Sequence, residues 1–322
     1  MMVTSPQLVS IPPVRTYVGS ERDDSLSLGE MEEEENCWTP LQLAARDGDL
    51  AQVQALLDSG ADINASPAGY YGNTALQAAC LLGHDEVARL LVVRGADVNA
   101  AGGNNGARTA LQHICAGGNM EMAIFLISSG AHVNEPAGRY HGRTALQCAA
   151  EAGHLELVDM LLNKAGADVN SPPATTGGLS ALAGAALHGH EHVVQRLLTR
   201  GADVNSQPCR HKGATPLQAA CLSGNKKIVD MMINAGADVN AEGSAFKGGR
   251  ALHAAAEIGN TEIVRMLVEA GADVNGGAGH TGQTALQGAR VRGWEDVVKL
   301  LQSLGATGTS AGGKKLFELN TR

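Results

Sequence analysis

Seven blocks reading Gly-Ala-Asp-Val-Asn, or a close variant, recur about every 35 residues along this chain. They stand at 60–64 (with Ile63 for Val), 95–99, 130–134, 166–170, 201–205, 236–240 and 271–275. An internal period of this length means one supersecondary unit copied in tandem. Each copy is too small to bury its apolar face alone and must stack on its neighbours. The 322 residues therefore predict one array, where length alone would suggest two domains. An array of this kind offers a long surface and no deep catalytic pocket.

The unit can be read residue by residue. Eight units start at Thr39, Thr74, Thr109, Thr144, Ser180, Thr215, Arg250 and Thr284. A starting Thr or Ser caps a helix by accepting a bond from a free backbone N–H. The Ala-Leu-Gln-x-Ala, or a close variant of it, that follows each start favours helix. Nine residues after every start stands a glycine, Gly48 and Gly83 among them, which marks a left-handed helix end. A second helix follows. Its apolar positions, represented by Val87, Ala88, Leu91 and Val92, form a single stripe. The Gly-Ala-Asp-Val-Asn block then closes it. Aromatics are only 3% of the chain, and the abundant small residues suit short helices packed closely, unit against unit.

These motifs resemble the ankyrin repeat. The family's Thr-Pro-Leu-His-x-Ala start stands here as Thr39-Pro40-Leu41-Gln42 and Thr215-Pro216-Leu217-Gln218, while Ala251-Leu252-His253 keeps the His. The Ala-Leu-Gln-Ala-Ala variant looks most like arrays in large fungal signalling proteins. The resemblance covers 37–306 and implies an all-α solenoid with β-hairpin fingers. Residues 1–36 are expected to be a disordered acidic tail, and 307–322 a flexible one.

Departures from the pattern carry expectations of their own. Gln52 and Gln302 stand where other units have an apolar residue, as expected of terminal units with one wet face. Arg250 removes a helix cap, at a cost of about 1 kcal/mol. The fourth unit has one extra residue near Lys164-Ala165, which predicts a bulge at a helix end. Gly184, inside the first helix of the fifth unit, costs roughly 1 kcal/mol and marks that unit as the soft point of the stack.

Nine residues separate each block's Asn from the next start, eight before Thr284. The ankyrin unit is about 33 residues long, so these fingers should reach further by about two. Four of the nine aromatics fall in them: Tyr70, Tyr71, Tyr140 and Phe246. Arg108, Arg139, Arg143, Arg210, Lys212 and Lys247 are there too, with His141, His211 and His280. The resemblance implies partner contacts at the fingertips and at the end of each first helix. Mapped onto this chain, the fingertip row is Tyr70, Tyr71, Arg108, Tyr140, His141, Arg143, His211, Lys212, Phe246 and Lys247. The helix row supplies Leu81, Leu82, Leu187, Leu222 and Ile258, expected to be exposed in a groove. Apolar residues rimmed by cations and Tyr suit a protein partner, in particular an acidic or extended segment.

The formal charge of −9 is unevenly placed. Residues 1–36 hold eight acidic and two basic groups, or −6, leaving −3 for the rest. One expectation is that Glu32 to Glu35 fold back on the basic fingers as a competitor. The negative total argues against nucleic acid. No run of 18 apolar residues suggests a membrane span, and no secretory leader is visible. The cysteines lack a C-x-x-C pair, and Cys80, Cys115 and Cys221 share one helical position. They fit small buried hydrophobes in a reducing compartment, cytoplasm or nucleus.

Several chemical signals dissolve against the repeat. Gly308-Thr309-Ser310-Ala311-Gly312 has nucleophile spacing without the required strand and helix. His188, His190 and His192 resemble a metal cluster, yet His84, His154 and His190 share one repeat position, which points to structure. No cofactor or metal is implied. The expected function is a non-catalytic, monomeric protein-interaction module. A scaffold or regulatory subunit of an enzyme is the alternative, and an enzyme using His141 or His211 a remote one.

Overall fold

The computed structural model describes residues 38–67, 72–103, 108–245, 248–278 and 282–308. The acidic tail, the distal C-terminal tail, Tyr70, Tyr71, Phe246, Lys247 and His280 lie outside the described residues. Sixteen helices are present among those described, in eight antiparallel-type pairs. They are α1 (Pro40–Asp47) and α2 (Leu50–Asp58), α3 (Ala75–Leu82) and α4 (Asp85–Val93), α5 (Ala110–Gly117) and α6 (Met120–Ser128), and α7 (Ala145–Glu151) and α8 (Leu155–Asn163). The second half continues with α9 (Ala181–Leu187) and α10 (Glu191–Thr199), α11 (Pro216–Ser223) and α12 (Lys226–Asn234), α13 (Ala251–Ile258) and α14 (Thr261–Glu269), and α15 (Ala285–Arg292) and α16 (Glu295–Ser303). First helices pack on first helices and second helices on second ones, giving an all-α solenoid.

Capping accounts for where the first helices begin. Thr39, Thr74, Thr109, Thr144, Thr215 and Thr284 each form a reciprocal capping box with a Gln three residues on. Ser180 caps α9 through the Ala183 N–H alone. Arg250 makes no side-chain cap, as its sequence position predicts; its guanidinium instead pairs with Glu242 at 2.6 Å and lies 3.6 Å from Asp273.

The capping Gln has a second task that the sequence reading missed. Its buried amide also pins the base of the loop that follows. Gln77 donates to the Ala100 carbonyl at 2.7 Å and Gln218 to that of Ala241 at 3.1 Å. Where the fifth unit lacks it, Ser180 and Ser206 hydroxyls meet at 3.0 Å.

The core runs the length of the stack. The leucine two residues after each start (Leu41, Leu76, Leu111, Leu146, Leu182, Leu217, Leu252, Leu286) is at most 2% exposed. Each such side chain contributes about 1.5–3 kcal/mol by leaving water. Val87, Ala88 and Leu91 of the second-helix stripe are buried, and Val92 is half-buried. Gln52 and Gln302 are exposed on the terminal units.

The repeated Asn is the lateral tie. Asn99 donates to the Gly130 carbonyl at 2.9 Å and accepts the His132 N–H at 2.8 Å. The same pair of bonds recurs from Asn64 through Asn275. The extra residue of the fourth unit widens its helix end. The Ala167 N–H reaches the Leu161 carbonyl, six residues back, where Ala96 reaches Leu91 over five.

Gly184 proves to have a packing reason. A Cβ there would lie 3.3 Å from Glu151 Cβ on α7, so its absence lets α9 and α7 come close. Every residue of α9 is buried, which sets a packing gain against the propensity loss that had marked this unit as soft.

Candidate functional site

The turns between paired helices show why the recurrent His is structural. His84 Nε2 lies 2.9 Å from the Arg46 carbonyl, His154 Nε2 3.2 Å from that of Ala116, and His190 Nε2 3.0 Å from that of Glu151. Each ring ties its unit to the preceding first helix. It rests on that helix's left-handed glycine, so a Cβ on Gly48 would lie 2.6 Å from His84. Trp294 plays the same part in the last unit, bonding the Glu257 carbonyl at 2.9 Å. His188 bonds the Gly184 carbonyl at 3.0 Å. No cluster able to hold a metal occurs among the described residues.

The fingers are built on narrow necks. A Cβ on Gly213 would lie 2.6 Å from the Cys209 nitrogen across its own finger, so the two arms close only because the side chain is missing. Paired strands occur in the last finger, β1 (Gly277–Ala278) antiparallel to β2 (Gln283–Thr284). Further back, the fingers are joined tip to tip. Tyr140, Thr176 and His211 form successive parallel bridges. The His141 N–H donates to the Thr176 carbonyl at 2.8 Å, the Gly177 N–H to that of His211 at 2.9 Å, and the Ser244 hydroxyl to that of Arg210 at 2.8 Å. Three consecutive tips thus form one backbone-bonded rim, and Ser244 ties the next finger to it.

Two tip residues adopt left-handed backbone without being glycine: His141 at φ 50 and Lys212 at φ 56. Gly177 takes the same conformation, φ 64, between them. Such a residue costs about 1–2 kcal/mol over glycine. No sequence pattern marked this position. Tyr140 is 42% exposed, with the Arg139 guanidinium 5.5 Å from its ring centre. His141 is exposed, and His211 and Lys212 are half-buried.

Arg143 corrects an expectation. It is 7% exposed and faces inward, donating to the carbonyls of Gly142 at 3.0 Å and Gly177 at 3.1 Å. Its Nε pairs with the Glu151 carboxylate at the end of α7. Arg143 is therefore a brace between a finger base and a first helix and presents nothing to a partner. Burial pushes the Glu151 carboxyl up, but Arg143's charge and hydrogen bond, with smaller help from His188 and Arg108, hold it below its ordinary range.

This brace also shows that fingers and first-helix ends bound one face. Along it, Leu81 is 39% and Leu82 43% exposed. Leu222 and Ile258 are half-buried. Leu187 corrects a second expectation: it is 5% exposed, because the small residues Ala183 to Ala186 draw α9 in between its neighbours. Arg108 is half-buried beside His113. Both ring nitrogens of His113 are buried with no hydrogen-bond partner. Burial first, then Arg108's charge, lower its pKa from 6.5 to about 3.

Cys80, Cys115, Cys148, Cys209 and Cys221 are free and buried. Burial pushes the Cys80 thiol up to about 12 and that of Cys221 further still. Such thiols are packing groups.

The geometry defines a class first: a stack of helical hairpins whose loops and first helices frame one elongated face. Comparison with known families agrees. The model for ankyrin repeats in three-copy sets matches residues 21–102, 101–173, 171–243 and 242–310. The chain belongs to the ankyrin repeat family, whose repeats are generally protein-protein interaction modules. No curated protein matches it. Among the described residues, no helix is long and apolar enough to cross a membrane.

Proposed function

We propose that this chain is a non-catalytic, monomeric interaction module that binds an extended, acidic protein segment between its fingertips and its first-helix ends. Each of the eight helix pairs counts as one ankyrin repeat in this reading, akin to the fungal arrays. Arg108, Tyr140, His141, His211 and Lys212 form one wall. Leu81, Leu82, Leu222 and Ile258 form the other. Tyr70, Tyr71, Phe246 and Lys247 extend the first wall by their register in the sequence. The total charge of −9 favours a protein over nucleic acid. Five buried free thiols suit a reducing compartment, cytoplasm or nucleus.

The observation that carries the proposal is the exposure of Leu81 and Leu82 at the end of a first helix, together with that of Tyr140 at a fingertip of the same array. Apolar anchors in a cationic frame match an acidic chain with aliphatic side chains. The strained backbone of His141 and Lys212 supports the same reading, since stability is given up to keep side chains there.

Selection of random peptides by display against the full chain tests it. Retained peptides should be rich in Asp, Glu and aliphatic residues. Their affinity should fall at least about tenfold, or ~1.4 kcal/mol, on Leu81→Asp with Leu82→Asp, and likewise on Tyr140→Ala. Binders without acidic bias, or unmoved by either variant, would refute the proposal.

A further inference from the structure

In every unit after the first, a finger leads into the first helix. In the first unit that place is taken by the chain arriving through Trp38 to the Thr39 cap. The Arg46 guanidinium lies 6.0 Å from the Trp38 ring centre. Arg46 occupies in α1 the position that Leu81 occupies in α3, seven residues after the cap. Trp38 thus stands beside the first unit's counterpart of Leu81, one unit before the exposed Leu81 and Leu82.

What precedes Trp38 has a matching pattern. Leu26, Leu28 and Met31 are followed by Glu32 to Glu35, with Glu30 among them. Extended chain spans about 3.4 Å per residue, and packed helices sit about 8–10 Å apart. Glu32 to Glu35, three to six residues before Trp38, therefore reach about 10–20 Å, one to two units along. Leu81 and Leu82 lie within that span, as does Arg108. Tyr140, His211 and Lys212 stand three to five units away, about 25–50 Å, outside it. The backbone of the Glu run thus stops short of the distal basic fingertips, which favours competition at the proximal groove.

We propose that residues 26–35 of this chain occupy the groove over Leu81, Leu82 and Arg108 and compete there with partner segments. Leu26, Leu28 and Met31 cover the two leucines, and the carboxylates of Glu32 and Glu33, the two whose reach spans two units, face Arg108. The inference rests on the groove reading above and adds its regulation.

Cleavage of the full chain by a glutamate-specific protease tests it. Cuts at Glu30 and Glu32 to Glu35 should be slow in the wild type. They should accelerate at least about tenfold on Leu81→Asp with Leu82→Asp, and on Leu26→Asp with Leu28→Asp and Met31→Asp. The second variant leaves every described residue untouched, so array unfolding cannot explain its effect. About 1 M salt should also speed cleavage, by screening the carboxylates from Arg108. Equal rates in all three proteins overturn the proposal. So does protection that vanishes on dilution, which would mean docking by a second copy. The display-selected peptides separate the two readings. They should bind the Leu26, Leu28, Met31 variant at least about threefold more tightly than the wild type. Unchanged, groove-dependent affinity sinks the regulatory proposal alone.

Discussion

The side-chain amide of Asn170 donates to the Gly201 carbonyl at 3.0 Å, one unit further along the stack. Its oxygen accepts the Asp203 N–H at 2.8 Å. One exposed side chain thus carries two of the bonds between the fourth and fifth units. Net contributions of about 0.5–1.5 kcal/mol per bond put the loss in Asn170→Ala at ~2 kcal/mol. Stability in a stack is a sum of unit terms and nearest-neighbour interface terms. Weakening a central interface should therefore split urea unfolding into two phases. The same change at Asn275, one unit from the described end, should fray only the last unit. An unaltered single transition in Asn170→Ala would show that the ladder is ornamental to stability.

His113 sets a second expectation. Its ring nitrogens are buried without partners, and its pKa is lowered from 6.5 to about 3. Between those values the unfolded chain binds a proton that the folded chain does not. Stability should therefore fall as the pH drops from about 6.5 toward about 3, by at most about 1.4 kcal/mol per unit from this group. His113→Leu removes the orphaned nitrogens and should raise stability at neutral pH by ~1–2 kcal/mol. It should also flatten part of the acid slope. His190 and His253, whose pKa values are also lowered chiefly by burial, keep the remainder. Urea titrations at several pH values measure both effects, and a variant less stable than wild type at neutral pH contradicts the account.

The array was legible in the chain because its signals are local and repeat. Thr caps, left-handed glycines and the Val87, Ala88, Leu91 stripe each act within a few residues, and their recurrence averages out exceptions. The candidate site was legible only in part. Exposure of a residue depends on how closely neighbouring units approach, and that distance is set by residues elsewhere. Leu187 reads like Leu81 in register, yet the run Ala183 to Ala186 draws its helix inward. Arg143 reads like Lys212 as a loop cation, yet it lies against the Glu151 carboxylate, eight residues away in sequence. The parallel bridges from Tyr140 to Thr176 to His211 join residues about a unit apart and leave no periodic mark.

Gly184 separates a sequence argument from a packing argument. Helix propensity alone says Gly184→Ala stabilises by roughly 1 kcal/mol. The added Cβ would lie 3.3 Å from Glu151 Cβ and 3.6 Å from Glu151 Cα, atoms fixed on a neighbouring helix. Relief requires α7 and α9 to separate, loosening Leu182 and Ala185 in a close-packed core. Gly184→Ala should therefore lower the urea midpoint, and a rise of the size propensity predicts would show that the helices separate at no cost.

The Arg143–Glu151 brace makes the last prediction one of sign. Glu151 is held below its ordinary range because Arg143 outweighs burial. A depressed carboxylate adds stability that is fully present above its unfolded value, about 4.3, and is lost as pH falls through the folded value. Glu151→Gln should therefore cost stability at pH 7 and flatten the acid limb. Arg143→Met leaves the carboxylate 26% exposed on a buried face without its cation. Removing one partner of a buried pair costs about 3–5 kcal/mol, and the residual exposure places this case near ~3. Burial, the largest cause, is then opposed only by the smaller effects of His188 and Arg108, so it raises Glu151's pKa and the contribution reverses. Arg143→Met should regain stability relative to wild type as pH falls through Glu151's raised value, whereas Glu151→Gln should show no such recovery. Urea midpoints measured from pH 7 to pH 3 for the three proteins decide it, and parallel curves for the two variants would mean that the brace is not electrostatic.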